Sequence, residues 1–97
     1  MTTVIMQRWD ALAPEKYDEL LELVGWDRDV PEGMLFHVAS FGDGVLRMTD
    51  VWDSEEQFGA FVQTRILPGL QQLGIPGQPE MITSPVHELT DVRVATR

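Results

Sequence analysis

Hydrophobic residues follow two different periods along the chain. Over Thr3–Trp9 the run TVIMQRW leads with β-branched residues and is largely apolar on both parities, which predicts a strand. From Pro14 the period lengthens: Tyr17, Leu20, Leu21 and Val24 recur at helical spacing, Pro14 and Glu15 suit a first turn, and Gly25 suits a left-handed stop. Residues Trp26 to Gly33 hold a proline among acids and read as a polar loop. Two β-rich runs, 34–41 and 45–52, flank Gly42-Asp43-Gly44 and predict a hairpin. Ser54-Glu55-Glu56-Gln57 then opens a second helix as a capping box, with Phe58, Phe61 and Val62 following at helical spacing. Pro68 predicts a kink or restart before Gly69–Leu73, and Gly74 ends the helix. The run 80–90 (EMITSPVHELT) predicts a last strand, which Pro85 confines to an edge or bulge, and residues 91–97 read as a fraying tail.

The order strand, helix, strand, strand, helix, strand predicts an α+β, ferredoxin-like βαββαβ fold. One domain spans residues 1–97, with two helices on one face of a four-stranded antiparallel sheet. The other face decides the assembly. The second strand places Met34, Phe36 and Val38 on one side and Leu35 and Ala39 on the other, so both sides want cover. Each large apolar side chain left in water forfeits roughly 1.5–3 kcal/mol. A homodimer packed sheet against sheet is therefore expected; the alternative is a monomer whose apolar strand lies beneath a loop.

Composition narrows the function. The 97 residues include no cysteine, which removes disulfides, thiolate metal sites and thiol nucleophiles. A net charge of −9 with no basic face sets the chain against nucleic acid and anionic membrane surfaces. No apolar run approaches the roughly 18 residues that span a bilayer, and residues 1–10 lack the features of a secretory leader, so a soluble cytoplasmic protein is expected.

No phosphate loop, dinucleotide fingerprint, zinc-protease or nucleophile-elbow motif is present. The best constellation comes from the hairpin. Across its loop, odd positions of the first strand share a face with even positions of the second, so His37 lies with Met48, Asp50 and Trp52. A carboxylate beside an imidazole fixes one tautomer and leaves the other nitrogen to take a proton from a phenol or an enolisable carbon. The bland counterpart is a core histidine satisfied by Asp50. Gln7 and Trp52, with Trp9, Met48, Phe58 and Phe61, can wall a cavity for a flat aromatic ligand, or simply pack the core. His87 on the last strand is a second candidate base. Two histidines without helical ligand spacing speak against a metal site.

The stretch Val51-Trp52-Asp53-Ser54-Glu55-Glu56, with Phe58 and Phe61 after it, resembles the V-W-x-S-x-E-x-F signature of the dimeric α/β-barrel proteins, which include the antibiotic-biosynthesis-monooxygenase-like and stress-responsive families. The resemblance implies two ferredoxin-like subunits joined into a barrel. It also implies a pocket between sheet and helices that binds a polycyclic phenol in some members and haem in others. Haem-degrading members carry asparagine where this chain has Gln7, and a tryptophan and a histidine near Phe61 and Gln71, so haem chemistry is not expected. The reading is a cofactor-independent, monooxygenase-like homodimer acting on an aromatic or polyketide-like metabolite. In it His37 is the base, Asp50 its orienting partner, Gln7 and Trp52 position the substrate, and Met48, Phe58 and Phe61 line the pocket. The rival is a non-catalytic binding or assembly module of the same fold. An amino-acid-sensing module is disfavoured because such units are appended to enzymes, and an RNA-binding sheet by the charge.

Overall fold

Alternation along β1 (Thr3–Trp9) sets the two faces of the sheet: Thr3, Ile5 and Trp9 are buried, while Met6 and Arg8 are exposed. A computed structural model describes residues 1–10 and 12–92. β1 is followed by α1 (Pro14–Val24), β2 (Met34–Gly42), β3 (Val45–Trp52), α2 (Glu55–Phe61), a π-helical turn (Val62–Ile66), α3 (Leu67–Leu73) and β4 (Glu80–Pro85). All neighbouring strands run antiparallel in the order β2-β3-β1-β4, which is the ferredoxin-like α+β arrangement. The helices lie on the inner face, over a core of Ile5, Leu46, Trp52, Phe58, Phe61 and Leu70. No helix among the described residues is long and apolar enough to cross a membrane.

Helix ends follow local chemistry. Gly25 takes φ 74° and its N–H donates to the Leu21 carbonyl at 2.8 Å, stopping α1. The Ser54 hydroxyl accepts the Gln57 amide at 3.1 Å and starts α2; the Gln57 side chain accepts the Ser54 hydroxyl rather than reaching back to the backbone. At Pro68 the helix neither breaks nor restarts. It widens beforehand: the Leu67 N–H donates to Val62, five residues back, and the chain passes into α3 without interruption. A π turn absorbs the lost donor and the ring clash that proline brings to a helix. Gly69 then allows α3 to press on α1, because a Cβ there would sit 2.9 Å from a methyl of Val24 and 3.1 Å from one of Leu20.

The strands differ from expectation at two points. Met34 pairs with Trp52 and Phe36 with Val51, so Leu35 is an extra, bulged residue. The bulge reverses the parity before it: Met34 turns inward to line a cavity, away from the side that Phe36 and Val38 share. The last strand ends at Pro85, where the amide donor is lost, so His87 lies beyond it and is exposed rather than on a strand. Of the tail expected over 91–97, residues from Arg93 on lie outside the described residues.

Register also arranges the outer face in rows. Phe36, Val51 and Val4 form one, Val38, Thr49, Met6 and Ile82 the next, and Ser40, Arg47, Arg8 and Glu80 a charged border. Phe36 and Val38 are each 46% exposed, Met6 43% and Ile82 62%.

Candidate active site

Pairing of β2 with β3 sets His37 directly opposite Asp50 on the inner face. Nδ1 of His37 lies 2.6 Å from Oδ1 of Asp50, and the indole N–H of Trp52 donates to Oδ2 at 3.1 Å. The carboxylate is 3% exposed and the Trp52 side chain fully buried. A carboxylate only accepts, so Nδ1 carries the hydrogen, and Nε2 of the neutral ring accepts. Its donor is the Tyr17 hydroxyl, 2.9 Å away on α1. The hydrogen bonds thus run from Tyr17 through His37 to Asp50, and from Trp52 to Asp50. Among the described residues no buried side-chain nitrogen or oxygen lacks a partner.

Aromatic edges hold the chain in place. Trp26 packs edge-on against His37 at 5.6 Å and against Tyr17 at 5.8 Å, while Phe41 meets Tyr17 from the other strand end at 6.0 Å. Trp26 is 7% exposed: the segment expected to be a polar loop begins inside the core. Burial, and after it the nearby Asp50 carboxylate, pushes the Tyr17 phenol up to about 12.

Tyr17 is the only tyrosine, so this value can be read directly. Absorbance titration of tyrosinate is expected to show one transition at about 12 instead of the ordinary value near 10. The folded chain holds that proton more tightly than the unfolded one. Its contribution, about 2–3 kcal/mol, is therefore complete below pH 10 and lost as pH rises towards 12. A midpoint at the ordinary value would contradict the buried position.

The pair opens on an interior cavity of about 60 Å³ whose wall includes Gln7, Tyr17, Trp26, Met48, Phe58 and Phe61. Beside it, between the inner faces of β1 and β4 and the α2–α3 helical segment, lies an open cleft of about 470 Å³, lined in part by Gln63, Gln78, Met81 and Thr83. Gln7, Trp9, Phe58, Val62, Ile66 and Leu70 line both spaces. Their charged linings are Asp50 and Glu55, with no lysine or arginine.

Among the residues selected from sequence, His37, Asp50, Gln7, Met48, Phe58 and Phe61 share this cavity wall. Trp52 does not line it. That side chain lies behind Asp50, where its indole nitrogen holds the carboxylate. His87 borders neither space. Sequence reasoning missed Tyr17 and Trp26 as members of the site. Tyr17 gave a signal, a hydroxyl on the apolar stripe of α1, whereas Trp26 stands alone among charges with no periodicity to place it.

The fold has known counterparts. SnoaB from Streptomyces nogalater, a cofactor-independent oxygenase, superposes with a TM-score of 0.64 at 16% identity, over 91% of this chain and 94% of its own. Rv0793 from Mycobacterium tuberculosis gives 0.70 at 13% identity, over 93% and 100%. A Chloroflexus aurantiacus protein named for the antibiotic biosynthesis monooxygenases gives 0.68 at 15%, over 95% and 99%. No family model matches the sequence, and no curated protein does. At these identities the likeness to antibiotic-biosynthesis-monooxygenase-like proteins is one of fold.

Proposed function

We propose that this protein is a cofactor-independent enzyme that removes a proton from an uncharged aromatic metabolite, a phenol or its enolisable equivalent, so that the resulting anion can react with dioxygen. The observation that carries this reading is the His37–Asp50 pair on the wall of an otherwise apolar cavity. Fixed acceptors beside an apolar wall are the equipment of proton abstraction. The oxygenation is then balanced by the substrate itself: a ring C–H becomes a carbonyl, one oxygen atom enters the product, and the other leaves as water with the two hydrogens. Likeness of fold to an oxygenase that needs no cofactor supports the same assignment.

The linings bear on the substrate. With Asp50 and Glu55 as the charged groups and no cation, a phosphate or carboxylate ligand meets repulsion, whereas a neutral ring system does not. The inner cavity is smaller than the roughly 150 Å³ that holds a benzene, so it takes only the hydroxyl end of a ligand. The cleft takes the rest, past the shared wall at Gln7 and Phe58. The working form we propose is a homodimer joined through the apolar rows of the outer face.

Purified protein incubated with neutral polycyclic phenols is expected to consume one dioxygen per quinone formed. His37→Ala should lower that turnover at least about a hundredfold while the chain stays folded. Turnover unchanged in His37→Ala would remove His37 from the chemistry. A second reading, a non-catalytic binding module, is favoured by the complete hydrogen bonding around His37; it requires ligand binding without any dioxygen uptake.

A further inference from the structure

Both nitrogens of His37 are already engaged, Nδ1 by Asp50 and Nε2 by Tyr17. A ligand in the cavity cannot bond the ring without displacing the tyrosine. The Tyr17 oxygen gives its hydrogen to Nε2 and has no other hydrogen bond among the described residues, which leaves its lone pairs for a donor arriving from the cavity that the ring borders. Its position is rigid: one edge contact from Trp26, another from Phe41, and a backbone amide bonded to Ala13 at 3.0 Å in the first turn of α1.

We infer that Tyr17, and not His37, is the catalytic residue that meets the substrate hydroxyl, with His37, Asp50 and Trp52 acting behind it as positioning residues. This rests on the proton-abstraction reading above and specifies its first contact. The step is a double transfer. The substrate O–H breaks as an O–H forms on Tyr17, while the Tyr17 O–H breaks as an N–H forms at Nε2. The products are a substrate anion, a neutral Tyr17 and an imidazolium paired with the Asp50 carboxylate; no electron changes hands. Asp50 thereby gains a counter-ion in the buried site when the ligand becomes charged. Tyr17 itself never accumulates as tyrosinate, in keeping with the upward pull on its proton.

The probe is 4-nitrophenol, added at a pH below its own pKa, where the free compound is protonated and the phenolate band reports ionisation at the site. Wild type is expected to bind it and display the phenolate band. Tyr17→Phe keeps the ring and its edge contacts, and is expected to bind the probe within a few fold of wild type but to leave it protonated, with turnover of phenolic substrates down at least about a hundredfold. A phenolate band that survives Tyr17→Phe yet vanishes in His37→Ala would overturn the assignment and leave the proton-abstraction reading standing. Failure of wild type to bind or ionise the probe would overturn both. Should Tyr17→Phe fold poorly, the single tyrosine offers a second route: 3-fluorotyrosine incorporated throughout labels this position alone. Its fluorine resonance is expected to shift on probe binding, and a resonance indifferent to saturating probe would equally sink the proposal.

Discussion

Asp50→Ala is expected to cost about 2–6 kcal/mol of folding stability, because it strands two donors, the part-buried His37 Nδ1–H and the fully buried Trp52 indole N–H, at about 1–3 kcal/mol each, the first towards the lower end. Against the 5–15 kcal/mol typical of a domain, that leaves a chain which is marginal at ambient temperature. Denaturant melts followed by tryptophan fluorescence measure it directly, and a loss below about 1 kcal/mol would mean that the network is looser than its distances imply. Asp50→Asn separates folding from chemistry. An amide oxygen still accepts from Trp52, but its NH₂ faces Nδ1 and forces the opposite tautomer. Nε2 then carries the hydrogen and donates to Tyr17, so the relay points the wrong way. This variant is expected to lose less stability than Asp50→Ala while turning over phenols at least about a hundredfold more slowly. Equal activity in Asp50→Asn and wild type would exclude a tautomer-fixing role.

Met6→Glu combined with Val38→Glu is expected to convert the proposed homodimer into monomers. Both residues lie in one cross-strand row of the outer face, 43% and 46% exposed in the single subunit. A two-fold interface repeats every substitution, so four carboxylates replace four apolar contacts. With just under half of each side chain left to bury, and roughly 1.5–3 kcal/mol for complete burial, the loss is about 3–5 kcal/mol before any charge repulsion is added. Sedimentation equilibrium should then report the mass of one chain, 11.0 kDa, for the variant and twice that for wild type. Wild type sedimenting as a single chain at micromolar concentration would refute the assembly. Arg8→Glu lies in the bordering charged row and serves as the contrast, since a rim charge carries little binding energy.

Much of this arrangement was legible before any coordinates. Period and punctuation locate the four strands and the helical segments, though not the π turn or the early end of the last strand, and strand parity places His37 with Asp50 because a short hairpin leaves its pairing little freedom. What escaped depends on relations no local pattern encodes. The bulge at Leu35 is a mismatch between two strands and is invisible in either alone. The bond from Tyr17 to His37 joins residues twenty apart on a helix and a strand, and only the packing of α1 over the sheet brings them together. Parity gives Trp52 the right face but not its depth, since the pocket closes in front of it. Trp26 reads as loop because its neighbours are charged; its burial follows from the turn at Gly25 that folds it back onto Tyr17.

The wide turn at Val62–Ile66 sets a rotational phase. Each residue of an α-helix advances the side chains by about 100°. Phe58 and Phe61 face the core from α2, and continued at regular pitch the helix would carry Leu70 to nearly the opposite side. One additional residue in the loop of the spiral retards the rotation by about that step and returns Leu70 to the interior, where it is 8% exposed. A chain shortened by a single residue here would close the turn to regular pitch and keep Leu70 inward, whereas the full-length chain forced into regular pitch would aim α3 outward and leave the cavity and the cleft without their shared far wall.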